Sequence, residues 1–287
     1  MSASPWIEAM RLRTLPVSIA GVLAACGYAA AHGEFHPGYA AVCLAFALLA
    51  QIASNFANEY FDFKAGIDTP GRDGPRRGVT EGDITPHAML RATVTTLAVA
   101  CLLGLSTVGR GGFWLIGAGA FIAIGALAYS AGPFPLSRCC MGEVAVVLFY
   151  GIIPINLTYY LQTLHFSHTV LWGSVAVGLI GAQVILINNY RDTESDRAKG
   201  KHTLSSTLLG RRGSAWFYML LGLVASLLMW QQPAEWHNLQ AITLVATIAI
   251  GSKLLHKGVN GATATKLLAA TASLLLLVCA LMFVINL

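Results

Sequence analysis

Long apolar runs recur through the whole chain and limit what it can fold into. Each is about 17 to 20 residues long, the length that an α-helix needs to cross the hydrocarbon core of a bilayer. The runs fall at 15–31, 38–56, 89–108, 113–130, 142–160, 170–188, 215–230, 239–255 and 267–285. Only 11% of the residues are charged, against about 25% in a soluble domain. The sequence therefore predicts an all-α, polytopic membrane protein with nine transmembrane helices in a single domain, 1–287.

The positive charges are distributed unevenly between the two sides of these helices. With the N-terminus in the cytoplasm, all of the 18 lysines and arginines except Arg110 fall on the cytoplasmic side. Short cytoplasmic loops of membrane proteins are enriched in these residues. We therefore expect an inner-membrane protein with a cytoplasmic N-terminus and the C-terminus outside. Its environment would be the lipid bilayer, and no nucleic acid is expected as a partner.

An acidic stretch directly follows the sixth apolar run. Three of the 13 acidic residues fall at positions 192, 194 and 196. Asn188, Asp192 and Asp196 are spaced by four, so they share one face if the helix continues. Two carboxylates on one face favour a hard divalent cation. The motif also carries cations that suit a phosphate brought by that metal: Arg191, Lys199 and Lys201.

A second polar stretch follows the second run, on the same predicted side. Gln51, Asn55, Asn58 and Asp62 step by four, three and four, which places them on one helical face. Asn58 to Asp62 and Asn188 to Asp192 both read N-x-x-x-D. Each pair is followed by another aspartate, at 68 and at 196, and then by a basic loop. The two stretches are interpreted as matching half-sites at the cytoplasmic mouth of the bundle.

Converging carboxylates repel one another unless cations lie between them, and Mg²⁺ takes oxygen ligands while keeping positions for substrate phosphates. The basic loops indicate that the site also receives a polyanion. A diphosphate ester fits, because metal and basic side chains neutralise a departing diphosphate. A cavity that opens into a bilayer would hold a long, apolar remainder of the substrate.

Several of these features have structural alternatives. An acid–base cluster in a loop is often a solvated surface, and Gln51 and Asn55 could be hydrogen-bonding contacts between helices. Tyr129 and Glu143 could serve the site, or they could be an interfacial anchor and a helix-terminal charge. The run 71–78 could grip phosphate or be a flexible basic connection.

At these residues the sequence resembles the UbiA superfamily of intramembrane prenyltransferases. The second motif, NNYRDTESDRAKGKHTL, is similar to that of the branch that prenylates 1,4-dihydroxy-2-naphthoate in menaquinone synthesis. The first motif, QIASNFANEYFDFKAGID followed by Gly-Pro-Arg at 74–76, also resembles that branch. Further likeness lies in Leu-Arg-Thr-Leu-Pro at 12–16 and Gly-Glu at 142–143. Glu59 departs from the pattern, because many members have Asp there.

The resemblance implies nine helices around a central cavity with a cytoplasmic cap made by the two acidic loops. It implies that Asn58, Asp62 and Asp68 hold one Mg²⁺ and that Asp192 and Asp196 hold another. These five are also the expected catalytic residues. The expected substrate-binding residues are Lys64, Arg72, Arg76, Tyr129, Asn188, Arg191, Lys199 and Lys201.

The reaction implied is metal-assisted loss of diphosphate from a polyprenyl diphosphate, followed by attack of the naphthoate ring on the allylic cation, with loss of CO₂. Two alternatives stay open. One is a prenyltransferase of the same superfamily that uses another aromatic acceptor, such as 4-hydroxybenzoate or homogentisate. The other is a cation- or proton-coupled transporter, since carboxylates at a membrane mouth also mark ion paths.

Overall fold

A computed structural model describes residues 4–68, 76–256 and 258–287. These residues are mostly helical and form no β-strand. The nine long helices are α1 Leu15–Ala31, α2 Pro37–Lys64, α3 Pro86–Leu105, α4 Trp114–Ala128, α5 Gly142–Thr163, α6 His168–Ala198, α7 Gly210–Met229, α8 His237–Leu255 and α9 Gly261–Val284. Short helical segments lie at Pro5–Met10, Leu12–Thr14, Val108–Gly111, Leu136–Arg138, Leu204–Leu209 and Ala234–Trp236. Each predicted span corresponds to one long helix.

Helix α4 is the shortest of the nine. Within the described ranges, the other eight, several of them with flanking turns, are long and apolar enough to cross a membrane. Helix α4 has 15 residues, about 22 Å at the α-helical rise, which is shorter than the usual hydrocarbon core of about 30 Å. The prediction of nine full-length spans therefore becomes eight, with one shorter apolar helix.

The connectivity nevertheless requires α4 to run from one end of the bundle to the other. Just before α4, Arg110 donates to the carbonyl of Gln162, 3.0 Å away, close to the end of α5. Just after α4, Tyr129 lines a cavity together with Glu143 at the start of α5. Since α5 itself spans the bundle, α4 must connect these two ends.

The helices pack in a closed arrangement in which α6 and α1 are the most buried. Helix α1 packs against α9, α5 and α2, so the first and last helices are neighbours. The closest approach of α5 and α6 is at two glycines: a Cβ on Gly151 would lie 2.5 Å from the Cα of Gly178. Gly151 lies in a π-helical turn, Val147–Ile152, just before Pro154, a typical cause of such local irregularity.

The outer surface of the bundle is apolar. Large hydrophobic side chains point outward on several helices, including Leu102 at 67% exposure, Ile124 at 65% and Val245 at 67%. A continuous surface of this kind is stable where lipid tails cover it. The protein is therefore a multi-span membrane protein.

The polar stripe of α2 holds the N-terminal segment against the bundle. The Tyr150 hydroxyl donates to Gln51. The Gln51 amide donates to Asn55, at 3.2 Å, and Asn55 donates to the carbonyl of Met10, at 2.9 Å. These two side chains therefore take the structural alternative, as hydrogen-bonding contacts between chain segments. Their contacts place Arg11 beside the first acidic motif.

Candidate active site

Both acidic motifs line one polar cavity of about 420 Å³ at one end of the bundle. Its wall comes from the ends of α2 and α6, the starts of α5 and α9, and the segment that precedes α1. The expected site residues that line it are Asn58, Asp62, Asp68, Arg76, Tyr129, Asn188, Arg191, Asp192, Asp196, Lys199 and Lys201. The structure thus brings the two predicted half-sites together.

The first half-site is built at the C-terminal end of α2. The Asn58 amide donates to Asp62 and to Ser130, both at 2.9 Å. Gly66, in the left-handed region at φ +68°, then reverses the chain, and the amide N–H of Ile67 donates to the Asp62 carbonyl at 3.0 Å. Glycine adopts this conformation without the penalty of a Cβ. The reversal directs Asp68 back to the cavity.

The second half-site lies entirely on α6. The helix continues without a break from the membrane through Asp196, so the predicted shared face is formed. Arg191 donates to both oxygens of Asp192, at 2.7 and 2.8 Å, and to the side-chain oxygen of Asn188, at 2.9 Å. The Lys201 ammonium lies 3.4 Å from Asp196. The carboxylates are buried, with exposed fractions of 7% for Asp192 and 6% for Asp196.

The two helix ends use the same capping motif. Gly200, at φ +66°, follows α6, and the N–H of Lys201 donates to the Asp196 carbonyl at 2.8 Å. This is the bond that Ile67 makes to Asp62 four residues before and one after its own glycine. By position at the helix end, Asp62 therefore corresponds to Asp196. The N-x-x-x-D pairing predicted from sequence matches Asp62 with Asp192, one helical turn away.

The predicted metal ligands are each held by a basic side chain or amide in this structure. Arg138 donates to Asp62 at 2.6 Å, and Arg77 lies 3.0 Å from Asp68. Arg11 donates to Asn58. Together with Arg191 and Lys201, these cations neutralise a buried acidic cluster, as electrostatics requires of carboxylates removed from water.

The donor set fits a hard divalent cation. It consists of amide and carboxylate oxygens, which are the ligands that Mg²⁺ takes. Across the part of the chain that the structure describes, no three His, Cys, Asp or Glu side chains group closely enough to hold a metal by themselves. Mg²⁺ is commonly bound by one or two carboxylates and completed by substrate phosphates and water, so this arrangement suits a metal that arrives with a phosphate.

A second, apolar cavity of about 320 Å³ lies between helices α1 to α5. Side chains such as Val22, Phe46 and Leu157 form its wall. Tyr129 lines both this cavity and the polar one. The two cavities are thus neighbours on either side of the Tyr129 side chain. The predicted central cavity is in fact two, with the acidic motifs at the mouth of one and apolar helices around the other.

A model of the UbiA prenyltransferase family matches residues 18–287. This chain belongs to the UbiA prenyltransferase family. The match covers all nine long helices apart from the first residues of α1. The family resemblance carried by the two motifs is therefore confirmed, and this UbiA chain is an Mg²⁺-type prenyltransferase by family.

Two similar relatives carry the same name. The 1,4-dihydroxy-2-naphthoate octaprenyltransferase of Escherichia coli (strain K12) is 36% identical over 207 residues, covering 69% of this chain and 67% of that protein. The protein of that name from Haemophilus influenzae is 32% identical over 228 residues, covering 77% of this chain and 74% of that one.

Solved structures share the fold. A UbiA homolog from Archaeoglobus fulgidus bound to DMAPP and Mg²⁺ has a TM-score of 0.72 at 12% identity, covering 98% of this chain and 100% of that one. The apo structure of a UbiA homolog from Aeropyrum pernix K1 has a TM-score of 0.71 at 13% identity, covering 100% and 99%. The all-helical membrane fold of this UbiA protein is therefore confirmed.

Two expected substrate-binding residues are not placed at the UbiA cavity. Lys64 is exposed and does not line it; its ammonium lies 5.6 Å from the centre of the Tyr60 ring. Arg72, with most of the run 71–78, lies outside the described residues. The possible phosphate-gripping role of that run therefore stays a prediction.

Two cations at the first half-site were not among the predicted site residues. Arg11 precedes the first span, and Arg138 lies in the short connection between α4 and α5. The charge count assigned both to the side of the motifs, which is the one signal that pointed to them. Neither has a spacing to Asn58 or Asp62 that a sequence pattern could reveal, because the contacts join segments 47 and 76 residues apart.

Glu59, the departure from the family pattern, does not line the cavity. It is fully buried and accepts a hydrogen bond from the backbone N–H of Val79, at 3.0 Å. The acid thus ties the segment that returns after the first motif to α2, and this segment carries Arg77. Its position indicates a structural role for the longer side chain.

Proposed function

We propose that this chain transfers a polyprenyl group from a polyprenyl diphosphate to 1,4-dihydroxy-2-naphthoate, releasing diphosphate and CO₂ and giving demethylmenaquinol. One observation carries the proposal: two acidic motifs from α2 and α6 line a single polar cavity that adjoins an apolar one. The polar cavity suits a metal-bound diphosphate, and the apolar one suits the prenyl chain. We also propose that residues 1–287 form one catalytic transmembrane domain.

Asn58, Asp62 and Asp68 would hold one Mg²⁺, and Asp192 and Asp196 would hold a second. When bound, the metal supplies positive charge that stabilises the negative charge developing on the departing diphosphate. The fit of the oxygen donors at the cavity supports this assignment.

The basic side chains bind the diphosphate beside the metal ligands. Arg76, Arg191, Lys199 and Lys201 line the cavity, and Lys199 makes no ion pair with any described residue. Arg138 and Arg191, which neutralise Asp62 and Asp192 in this structure, become available to phosphate oxygens when a metal takes the carboxylates. Arginine suits this exchange because its guanidinium binds carboxylate and phosphate in the same bidentate geometry.

The apolar cavity binds the chain and excludes water. Loss of diphosphate from an allylic carbon leaves an allylic cation, which water would capture. Apolar walls along α2 to α5 reduce that side reaction. Tyr129, with Asn188 on the opposite helix of the polar cavity, lies where the allylic carbon and the aromatic ring would meet.

The acceptor assignment is supported by the names of the relatives at 32–36% identity. Nothing in the described cavity favours 4-hydroxybenzoate or homogentisate over the naphthoate. The transporter alternative loses its support with the family membership, since the acids gather at one end of the bundle.

We further propose that the acidic cavity faces the cytoplasm at the inner membrane. The segment before α1 and the start of α9 line the cavity, so the N-terminus lies at the motif end and the C-terminus at the other. Arg110 is at the opposite end, over the Tyr39 ring. The positive-inside rule supports a cytoplasmic motif end.

The test is a prenyl-transfer assay on the full chain purified in detergent, with labelled polyprenyl diphosphate, Mg²⁺ and each aromatic acceptor in turn. We expect prenylated product with 1,4-dihydroxy-2-naphthoate, loss of product when EDTA removes the metal, and recovery when Mg²⁺ is added back. Product with another acceptor alone would replace the naphthoate in the proposal. No product with any acceptor would refute it.

A further inference from the structure

Glu143, at the start of α5, carries a buried carboxylate oxygen without a hydrogen-bond partner. The side chain lines the polar cavity, and the residue is 4% exposed. One oxygen accepts a hydrogen bond from the Asn189 amide, at 2.9 Å. The other, Oε2, is buried and has no hydrogen-bond partner in the described part of the chain.

A helix-terminal charge explains only part of this arrangement. An acid in the first turn of a helix is favourable because of the helix dipole, and this accounts for a carboxylate at position 143. It does not account for an open oxygen, since buried polar atoms in folded proteins almost always find a partner. An oxygen that lines a cavity and lacks a partner is positioned to accept a hydrogen bond from a ligand.

The location of Glu143 matches the acceptor side of the reaction. Its neighbour Gly142 lies beside the Tyr129 hydroxyl, which is 3.9 Å from the position of a Cβ at Gly142. Since Tyr129 lines both cavities, Glu143 is near their junction. Asn189, the partner of Glu143, is on α6 next to Asn188 and one turn before the second acidic pair.

We infer that Glu143 is the catalytic base that receives the ring hydroxyl of the acceptor next to the carboxylate-bearing carbon. The inference rests on the proposed function. As that carbon attacks the allylic cation, the adjacent C–OH becomes C=O and its proton passes to Glu143 Oε2. The resulting β-keto carboxylate loses CO₂. The electron pair of the broken C–C bond restores the aromatic ring, and the ring oxygen takes the proton back from Glu143.

This sequence needs no net proton and no further reactant. It separates two roles within one cavity: the acidic motifs serve departure of the diphosphate, while Glu143 serves capture of the cation by the ring. Loss of Glu143 should therefore slow capture and leave C–O cleavage in place.

The experiment compares Glu143→Gln, Glu143→Asp and wild type in the full chain in detergent with Mg²⁺. Glutamine keeps the acceptor oxygen for Asn189, so the fold is retained, but it cannot take a proton. We expect kcat with 1,4-dihydroxy-2-naphthoate to fall about 10²-fold or more, the usual contribution of a general base. Glu143→Asp should recover part of the loss. Glu194→Gln, at an exposed acid of the second motif, is the matched control and should behave as wild type.

The second readout is exchange of oxygen-18 between the bridging and non-bridging positions of labelled polyprenyl diphosphate, which reports reversible C–O cleavage. In Glu143→Gln this exchange should persist or increase while product formation falls. Equal losses of exchange and product would overturn the inference, and so would product formation within about threefold of wild type, the limit expected for a group outside the chemical step. Absence of product from wild type would instead refute the proposed function.

Discussion

The two half-sites end in the same way but are assembled differently. In both, an aspartate one turn before a left-handed glycine closes the helix with the same backbone bond. Beyond this point they diverge. Helix α6 carries its acids on one continuous face and pairs them with Arg191 and Lys201 of the same motif. Helix α2 ends one turn earlier, and its third acid, Asp68, follows the glycine.

The cations differ in the same way. At the first half-site, Asn58 and Asp62 are held by Arg11 and Arg138, which come from other parts of the chain. The second half-site is therefore complete in one stretch of sequence, while the first exists only when the bundle is folded. This explains why the second motif carries the more specific sequence pattern.

The largest expected effect comes from removing one carboxylate from either half-site. Asp62→Asn and Asp192→Asn should each lower turnover by about 10²- to 10³-fold or more, as loss of a group that stabilises transition-state charge does. Expression and folding should be largely retained, because asparagine keeps the shape of the side chain. The measurement is prenyl transfer in detergent at saturating substrates.

Glu194→Gln is the matched control, since Glu194 lies in the second motif but is exposed and pairs with Arg197. Its turnover should equal that of wild type. If only one of the two aspartate variants lost activity, the two half-sites would not act together on one substrate.

A smaller effect is expected from the distant cation of the first half-site. Arg138→Gln should raise the KM for polyprenyl diphosphate about tenfold, because a hydrogen bond to a charged group contributes about 1.5 kcal/mol. Arg191→Gln should do the same for the second half-site. Steady-state kinetics with varied diphosphate substrate test both.

Arg212→Gln, at an exposed position that does not line the cavity, serves as the control for loss of one positive charge. An unchanged KM in Arg138→Gln would mean that Arg138 only neutralises Asp62 and does not contact diphosphate.

The smallest effect should be the same in both half-sites. Gly66→Ala and Gly200→Ala force an L-residue into the left-handed region, which costs about 1–2 kcal/mol. A Cβ at either position would meet no atom within 4 Å, so backbone strain is the whole effect. Each variant should lower Tm by a few degrees in a thermal unfolding measurement in detergent.

Gly38→Ala is the control, since a Cβ there also meets no atom within 4 Å and the backbone of Gly38 is helical. It should not lower Tm. A loss of stability confined to Gly200→Ala would contradict the shared capping motif.

The sequence by itself determined the membrane class, the places of the nine helices and the identity of the acidic motifs. These follow from local properties: long apolar runs must be helical in lipid because every backbone polar group needs a partner, and acids four residues apart share a helix face. The family resemblance rests on the same local patterns, and for that reason it was visible without the fold.

The tertiary structure alone decided how the half-sites are built. It matched Asp62 with Asp196, brought Arg11 and Arg138 to the first motif, and turned Lys64 away from the cavity. It also set Tyr129 between two cavities and left an open oxygen on Glu143. These contacts join residues far apart in the chain, so they depend on how the helices pack, and helix packing is fixed by the whole bundle at once and not by any one stretch of sequence.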